Sequence, residues 1–473
     1  MKGFIIGAIA ISLFAAVTGV GGAAVIGLAI IGGILGVIIG AIVKAIAKSV
    51  AKAKAKKALE NKKLALQKAA EQGDAKDQFN LGDWYSEQKD FIKSAEWFGK
   101  AAEQGNADAQ YRLSVLFTTG QGVSKDSTKA TEWRRKAAEQ GNSDAQYQTG
   151  LLYFKGEGVP QDYTKSAEWF EKAAEQGHLD AQSKLGLQYF DGLGVPQAYT
   201  KAAEWFEKAA EQGNVKAQSK LGFMYFKGRH GVPQDYAKAA KLFEIAANRG
   251  DTEAMYNLYY CYSLGQGVPK DSTKGLGLLK KAAELGNADA QFRQGELYSM
   301  VGDVIEAAKW FEKAAEQGYV KAQWTLGRQY FKGEGVPQDY TKAAKWFGKA
   351  AEQGHTHAQS ILGLLFLNGQ GVPKDETKAV MWFSKAAASG DAQAQFYMGR
   401  LTEDDAKSAE WYEKAANQGD TDAQYELGLL YANGQGVPKD IEKAKELFNK
   451  AAKQGNEKAK DILIKMATAS LAQ

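Results

Sequence analysis

A glycine that keeps returning constrains this chain more than any other feature. It closes a run reading Lys-Ala-Ala-Glu-Gln-Gly, or a near variant, at Gly73, Gly105, Gly141, Gly177, Gly213, Gly250, Gly286, Gly318, Gly354, Gly390, Gly419 and Gly455. Seven of the eleven intervals are 36 residues, one is 37 and three are shorter. A period of this size marks a solenoid, because each repeat hides its apolar face only by stacking on its neighbours. Length therefore says nothing about domain number here.

Residues 181–213 show what one repeat must be. Ala181, Leu185 and Tyr189 recur every four residues and share one face of a first helix. Gly186, beside Leu185, lets a partner helix cross closely. Asp191-Gly192-Leu193-Gly194-Val195-Pro196 is a loop of turn residues. Ala202, Trp205, Phe206, Ala209 and Ala210 then mark the apolar face of a second helix, which Gly213 ends in a left-handed C′ conformation. All seven prolines lie in such loops, and Asp162, Asp235, Asp271, Asp339, Asp375 and Asp440 follow two residues later as expected N-caps. Trp97, Trp133, Trp169, Trp205, Trp310, Trp346, Trp382 and Trp411 recur at one second-helix slot, filled elsewhere by Leu242, Leu278 and Leu447. Replacement by Leu makes this stripe core packing rather than an aromatic ligand site.

Three recurring segments carry a family resemblance: Ala-Gln-x-x-Leu-Gly-x-x-Tyr, Gly-x-Gly-Val-Pro-x-Asp and Lys-Ala-x-x-Trp-x-x-Lys-Ala-Ala. Across residues 74–455 they resemble the Sel-1-like repeats, relatives of the tetratricopeptide repeats. The resemblance implies an all-α, right-handed superhelical solenoid of helix-turn-helix repeats whose first helices line the concave face, and a role as scaffold or adaptor for proteins. The repeats around 82–97, 295–310 and 399–411 lack the Gly-Val-Pro loop.

A partner is expected on the first-helix face opposite the Ala-Leu-Tyr core, at the motif's third, fourth and seventh positions. Arg112, Lys184, Lys220, Tyr260, Arg293 and Arg328 are the candidate contacts, with Arg293 and Arg328 foremost because a guanidinium rarely serves as filler. The competing reading is that the third-position aromatics pack between neighbouring repeats.

Charge separates the repeats from the segment before them. The formal net charge is +5. Residues 44–63 hold eight Lys against one Glu and Lys2 adds another, so +8 lies there and the rest of the chain carries −3. The repeats therefore lack the basic stripe that nucleic acid requires. From Gly3 to Val43 there is no charged side chain; as a helix this run would be roughly twice the thickness of a bilayer's hydrocarbon core. The glycine cluster at 18–22 suggests a hydrophobic transmembrane hairpin with legs near 4–17 and 23–43, packed through Gly32, Gly36 and Gly40; a single tilted span is the alternative. Lys44, Lys48, Lys52, Lys54, Lys56, Lys57, Lys62 and Lys63 would keep the repeats cytoplasmic at a bacterial inner membrane, their basic flank 44–63 near anionic lipid. The small-residue spacing also allows a homo-oligomer through the membrane segment.

The expected domains are the hairpin 1–43, a basic linker and capping helix 44–72, eleven repeats over 73–455, and a C-terminal capping helix 456–473. No motif supplies a catalytic, metal or cofactor site. His355 and His357 are two apart rather than three or four, the Gly-rich loops lack Gly-Lys-Ser/Thr, and Cys261 reads as buried filler. No cofactor and no enzyme activity are expected. The leading expectation is a membrane-tethered adaptor; the rival is a membrane effector whose glycine-rich hairpin oligomerises and permeabilises the bilayer under control of the repeats.

Overall fold

The computed structural model describes residues 22–228 and 231–471, and among them every regular element is an α-helix. The chain divides into two compact units, Met1–Ala209 and Ala210–Gln473. The first holds a long helix, Gly22–Glu71, and then the helix pairs Ala75–Glu87/Phe91–Glu103, Ala107–Thr119/Ser127–Glu139, Ser143–Lys155/Tyr163–Glu175 and Leu179–Asp191/Tyr199–Glu211. The second runs from the pair Val215–Lys227/Tyr236–Asn248 through six more to Thr421–Asn433/Ile441–Lys453, and closes with the single helix Glu457–Leu471.

The N-terminal expectation can be compared only in part. The first hairpin leg, 4–17, lies outside the described residues. The described part of the second leg and the linker lie in one helix of 50 residues, Gly22–Glu71, as expected of an Ala- and Lys-rich stretch that continues the helix. No proline or glycine interrupts the Ala- and Lys-rich stretch that follows the apolar run, so the helix propagates to the turn at Gly73. Most side chains of 22–46 also fall outside the described set. Within that set no helix is long and apolar enough to cross a membrane. Among the described residues, a Cβ on Gly40 would meet no atom within 4 Å.

Each repeat is built by local chemistry repeated. First helices start at the residue after the recurring Gly, where Asn106, Asn142 and Asp251, for example, accept a hydrogen bond from the amide three residues on. Second helices start at the loop aspartates, and Asp162, Asp235, Asp271, Asp339, Asp375 and Asp440 all make the corresponding cap. The amides hold the Asp162 carboxyl below the usual carboxylate range, the Lys165 backbone N–H foremost. Gly213 ends its helix at φ +87°, open only at a cost to a residue with a side chain.

Packing within a pair depends on a glycine and a ring. A Cβ on Gly186 would come 2.8 Å from Cδ1 and Cε1 of Phe206, which is fully buried. The same contact recurs at Gly82/Phe98, Gly150/Phe170, Gly222/Phe243, Gly327/Phe347 and Gly363/Phe383. The missing side chain is the socket for the ring, and burying each ring contributes about 1.5–3 kcal/mol. Two repeats depart from this, and each changes both partners. Tyr259 fills the glycine slot opposite Leu279, while Gly275 on the second helix supplies the close approach to the Tyr259 carbonyl. Ser114 fills the slot opposite Arg134, whose Nε is buried without a partner and whose pKa burial pushes down.

The tryptophan stripe therefore lies one residue away from the centre of the core. Trp310, Trp346 and Trp382 are buried, whereas Trp97, Trp133, Trp169, Trp205 and Trp411 are only partly so. Each indole carries the ammonium of the lysine three residues on, as with Lys208 Nζ 4.0 Å from the Trp205 ring and Lys313 Nζ 4.1 Å from Trp310. The residue after the Trp, and not the Trp, faces the socket: Phe in most repeats, Tyr412 after Trp411 opposite Gly399, and Arg134 after Trp133 opposite Ser114.

Candidate functional site

Between repeats the chain uses the Gln of Ala-Gln and the Gln of Glu-Gln-Gly. Gln182 Nε2 donates to the Ala174 carbonyl at 3.1 Å, and Gln146, Gln291, Gln323 and Gln359 make the equivalent bond to the preceding second helix. The Oε1 of such a glutamine accepts from the second one, as Gln323 does from Gln353 at 2.8 Å. Where Arg249 and Ser389 replace the second glutamine, Gln218 Oε1 and Gln359 Oε1 are buried with no partner. In the repeat 252–287 both positions change together, to Met255 and Leu285. The loop glycines complete the joint: a Cβ on Gly194 would fall 2.1 Å from the Tyr163 carbonyl carbon of the preceding repeat.

These contacts divide the expected binding stripe. Third-position aromatics belong to the joint between repeats. Tyr147 stacks on His178 with ring centroids 4.6 Å apart, and Trp324 on His355 at 4.9 Å; Phe292 meets Tyr319 at 5.2 Å. His178 and His355 are themselves N-caps, each Nδ1 accepting an amide at 3.2 Å. Burial, with His357 nearby, pushes the His355 pKa below its ordinary value. Among the described residues no cluster of three or more His, Cys, Asp or Glu could hold a metal ion. Cys261 is fully buried, and burial raises its thiol pKa to about 11.

The fourth and seventh positions stay on an accessible face and meet each other across the joint. Arg112, at a fourth position, lies 3.6 Å from Asp83, at the seventh position of the preceding repeat. In the first unit Val115, Leu151 and Leu187 form the seventh-position row, beside Arg112, Gln148 and Lys184 at the fourth. Val115 is exposed and the two leucines are half-buried. Apolar side chains bordered by charged ones are the composition of a protein interface.

The individual candidates divide in the same way. Lys184 Nζ lies 5.6 Å over the Phe154 ring, and Lys220 Nζ pairs with Glu253 at 2.7 Å. Arg293 is committed internally: Nε donates to the Tyr259 hydroxyl at 3.3 Å and Nη1 pairs with Glu296 at 2.9 Å. Arg328 is exposed and, among the described residues, has no ion-pair partner. Tyr260 hydrogen-bonds Tyr256 hydroxyl to hydroxyl at 3.0 Å. Burial, and then that bond, raises the Tyr256 pKa.

Tyr260 also lines an open cleft of about 580 Å³ in the second unit, between helices Val215–Lys227 and Thr252–Leu264. Phe223, Tyr256 and Tyr260 form its walls, Asn257 and Gln266 offer amides, and Lys227 and the exposed Leu264 stand at its rim. Phe223, Tyr256, Asn257 and Tyr260 all belong to the stripe expected from sequence, but their enclosure with Lys227 and Gln266 depends on how two repeats meet.

Comparison with known proteins agrees with this architecture. The family model described as Sel1 repeat matches residues 66–74, 75–106, 107–142, 143–178, 179–214, 215–251, 252–287, 288–319, 320–355, 356–391, 392–420 and 421–456. A protective antigen of uropathogenic Escherichia coli strains, solved with an SLR fold, is 37% identical, with 85% of this chain and 90% of that one covered and a TM-score of 0.54. A Sel1 repeat protein from Oxalobacter formigenes is 34% identical over 65% of this chain and 90% of that one, with a TM-score of 0.49. No curated protein matches the chain.

Proposed function

The chain belongs to the Sel1 repeat family, and we propose that it is a membrane-tethered adaptor holding a protein partner on the first-helix face of its repeats. Solenoids of this family generally mediate protein–protein interaction. One observation carries the reading for this chain: the fourth and seventh positions hold the accessible side chains of the first-helix face, with Val115 and Arg328 exposed and Arg328 without an ion-pair partner among the described residues. In this proposal the repeats wind into a right-handed superhelix with those rows on its concave side. The N-terminal segment is the anchor: residues 4–43 enter the bilayer, the basic flank 44–63 lies against anionic headgroups, and the repeats are cytoplasmic. The uninterrupted charge-free run in the sequence supports the anchor, and the lysines that follow it support the orientation.

The test is in-cell crosslinking of the full chain in its own membrane, comparing wild type with Leu187→Asp and Arg328→Glu. Arg328 is exposed and Leu187 half-buried, neither in a glycine socket, so the variants should keep wild-type helicity and lose the crosslinked partner. Undiminished crosslinking in both variants refutes the face. A C-terminal reporter that reads periplasmic refutes the orientation. Dye leakage or growth arrest caused by residues 1–60 alone replaces the anchor with a permeabilising effector.

A further inference from the structure

We infer that the cleft between helices Val215–Lys227 and Thr252–Leu264 takes a peptide segment in which an apolar side chain lies beside a carboxylate. This rests on the adaptor reading and adds the chemistry of one contact. The cleft, about 580 Å³, matches ligand pockets in size and is open to solvent, as a docking site for a peptide segment must be. Phe223, Tyr256 and Tyr260 contribute aromatic rings to its lining, and the Tyr256 and Tyr260 hydroxyls hydrogen-bond each other at 3.0 Å. Leu264 at the edge is 60% exposed. An apolar side chain is what such a lining gains most from enclosing.

The charge at the rim selects among apolar segments. Two other repeats carry a lysine at the same place, and both neutralise it through the loop that follows. Lys155 Nζ lies 3.4 Å from Glu157 and Lys332 Nζ 3.6 Å from Glu334. Where Glu157 and Glu334 stand, the loop after Lys227 reads Gly228-Arg229-His230-Gly231 and contains no acid. Lys227 is exposed, its Nζ 5.5 Å from the Phe223 ring, and it has no carboxylate partner among the described residues. An uncharged occupant would desolvate this ammonium without pairing it, and a basic one would repel it. An acidic occupant supplies the missing partner. The Asn257 amide, also without a partner among the described residues, is placed to hydrogen-bond the backbone of an extended segment.

The test uses the full chain in detergent micelles and fluorescence anisotropy with three labelled octapeptides. One is Gly-Ser-Asp-Phe-Asp-Leu-Ser-Gly; the second replaces both Asp by Lys; the third replaces Phe and Leu by Ser. The first should bind at least ~10-fold more tightly than either control. Lys227→Glu should abolish that preference and favour the lysine peptide. Lys216→Glu, an exposed lysine on the same helix, should change nothing. Equal binding of the three peptides, or an equal effect of the two Lys→Glu variants, overturns the inference. The same Lys227→Glu chain goes into the in-cell crosslinking assay. A partner retained there while the peptides bind alike leaves the adaptor standing and removes the cleft's role; absence of any crosslinked partner even in wild type removes the adaptor itself.

Discussion

Replacing Gly186 by Ala sets two effects of opposite sign against each other. Alanine is favoured over glycine in a helix interior by about 1 kcal/mol. Against this, the new Cβ would stand 2.8 Å from two carbons of Phe206. That ring is fully buried and backed by its own helix, so it has nowhere to recede. Overpacking of this kind costs about 1–3 kcal/mol, and a net destabilisation of about 1–2 kcal/mol is expected. Gly99→Ala is the control, because a Cβ there meets nothing within 4 Å; it should stabilise by up to about 1 kcal/mol. Phe206→Leu alone loses roughly half the atoms of a Phe→Ala truncation and should cost about 1.5–2.5 kcal/mol. Combined with Gly186→Ala it should cost at least about 1 kcal/mol less than the sum, because leucine leaves room for the methyl. The chain already contains such a combination in Tyr259 facing Leu279. A stack of this many helix pairs does not unfold in one step, so the measurement is native-state hydrogen exchange of amides in Leu179–Asp191 and Tyr199–Glu211. Strict additivity, or a stabilising Gly186→Ala, would refute the socket.

The histidine caps should respond to pH. His355 must be unprotonated at Nδ1 to accept the Ala358 amide, and its pKa is lowered in the fold. The unfolded chain therefore takes up the proton first, so this contribution is complete at neutral pH and falls as pH drops below about 6.5. His355→Asn should flatten that fall, measured by hydrogen exchange across Thr356–Asn368. Ser389→Gln should restore a donor to the orphaned Gln359 Oε1 and stabilise the joint by about 0.5–1.5 kcal/mol; no gain in exchange protection at 359–389 would contradict the glutamine ladder. Ala198 occupies the loop position that Asp fills elsewhere. Ala198→Asp should add about 1 kcal/mol through a new N-cap, read as slower exchange in the first turn of Tyr199–Glu211.

The proposed binding face is only half legible in the sequence. A 3.6-residue period tells which residues share a face, and on that ground the third, fourth and seventh positions were grouped. It does not tell which edge of that face the next repeat covers. Tyr147, Phe292 and Trp324 lie on the covered edge and are spent on His178, Tyr319 and His355. As a guanidinium on that face Arg293 looks available, yet Tyr259, the unusual occupant of a glycine slot, accepts a hydrogen bond from it. A signal for this was present in the repetition: comparing copies within the chain shows Gly with Phe changing together to Tyr259 with Leu279, and Gln with Gln to Met255 with Leu285. Paired changes of that kind point to contact.

Sequence alone determined what short-range physics controls. The recurring glycines place the helix ends, the loop aspartates cap the second helices, and the apolar period makes the elements helical and able to stack, because each of these depends on neighbours a few residues away. Tertiary structure decided what depends on two repeats at once. It put Phe206 rather than Trp205 into the glycine socket, left Gln218 and Gln359 with an unused acceptor, and brought Phe223 and Tyr260 into a cleft beside Lys227, which has no carboxylate partner among the described residues. A side chain's residual surface is set by the distance and angle between stacked helices, and no period along a single helix encodes those.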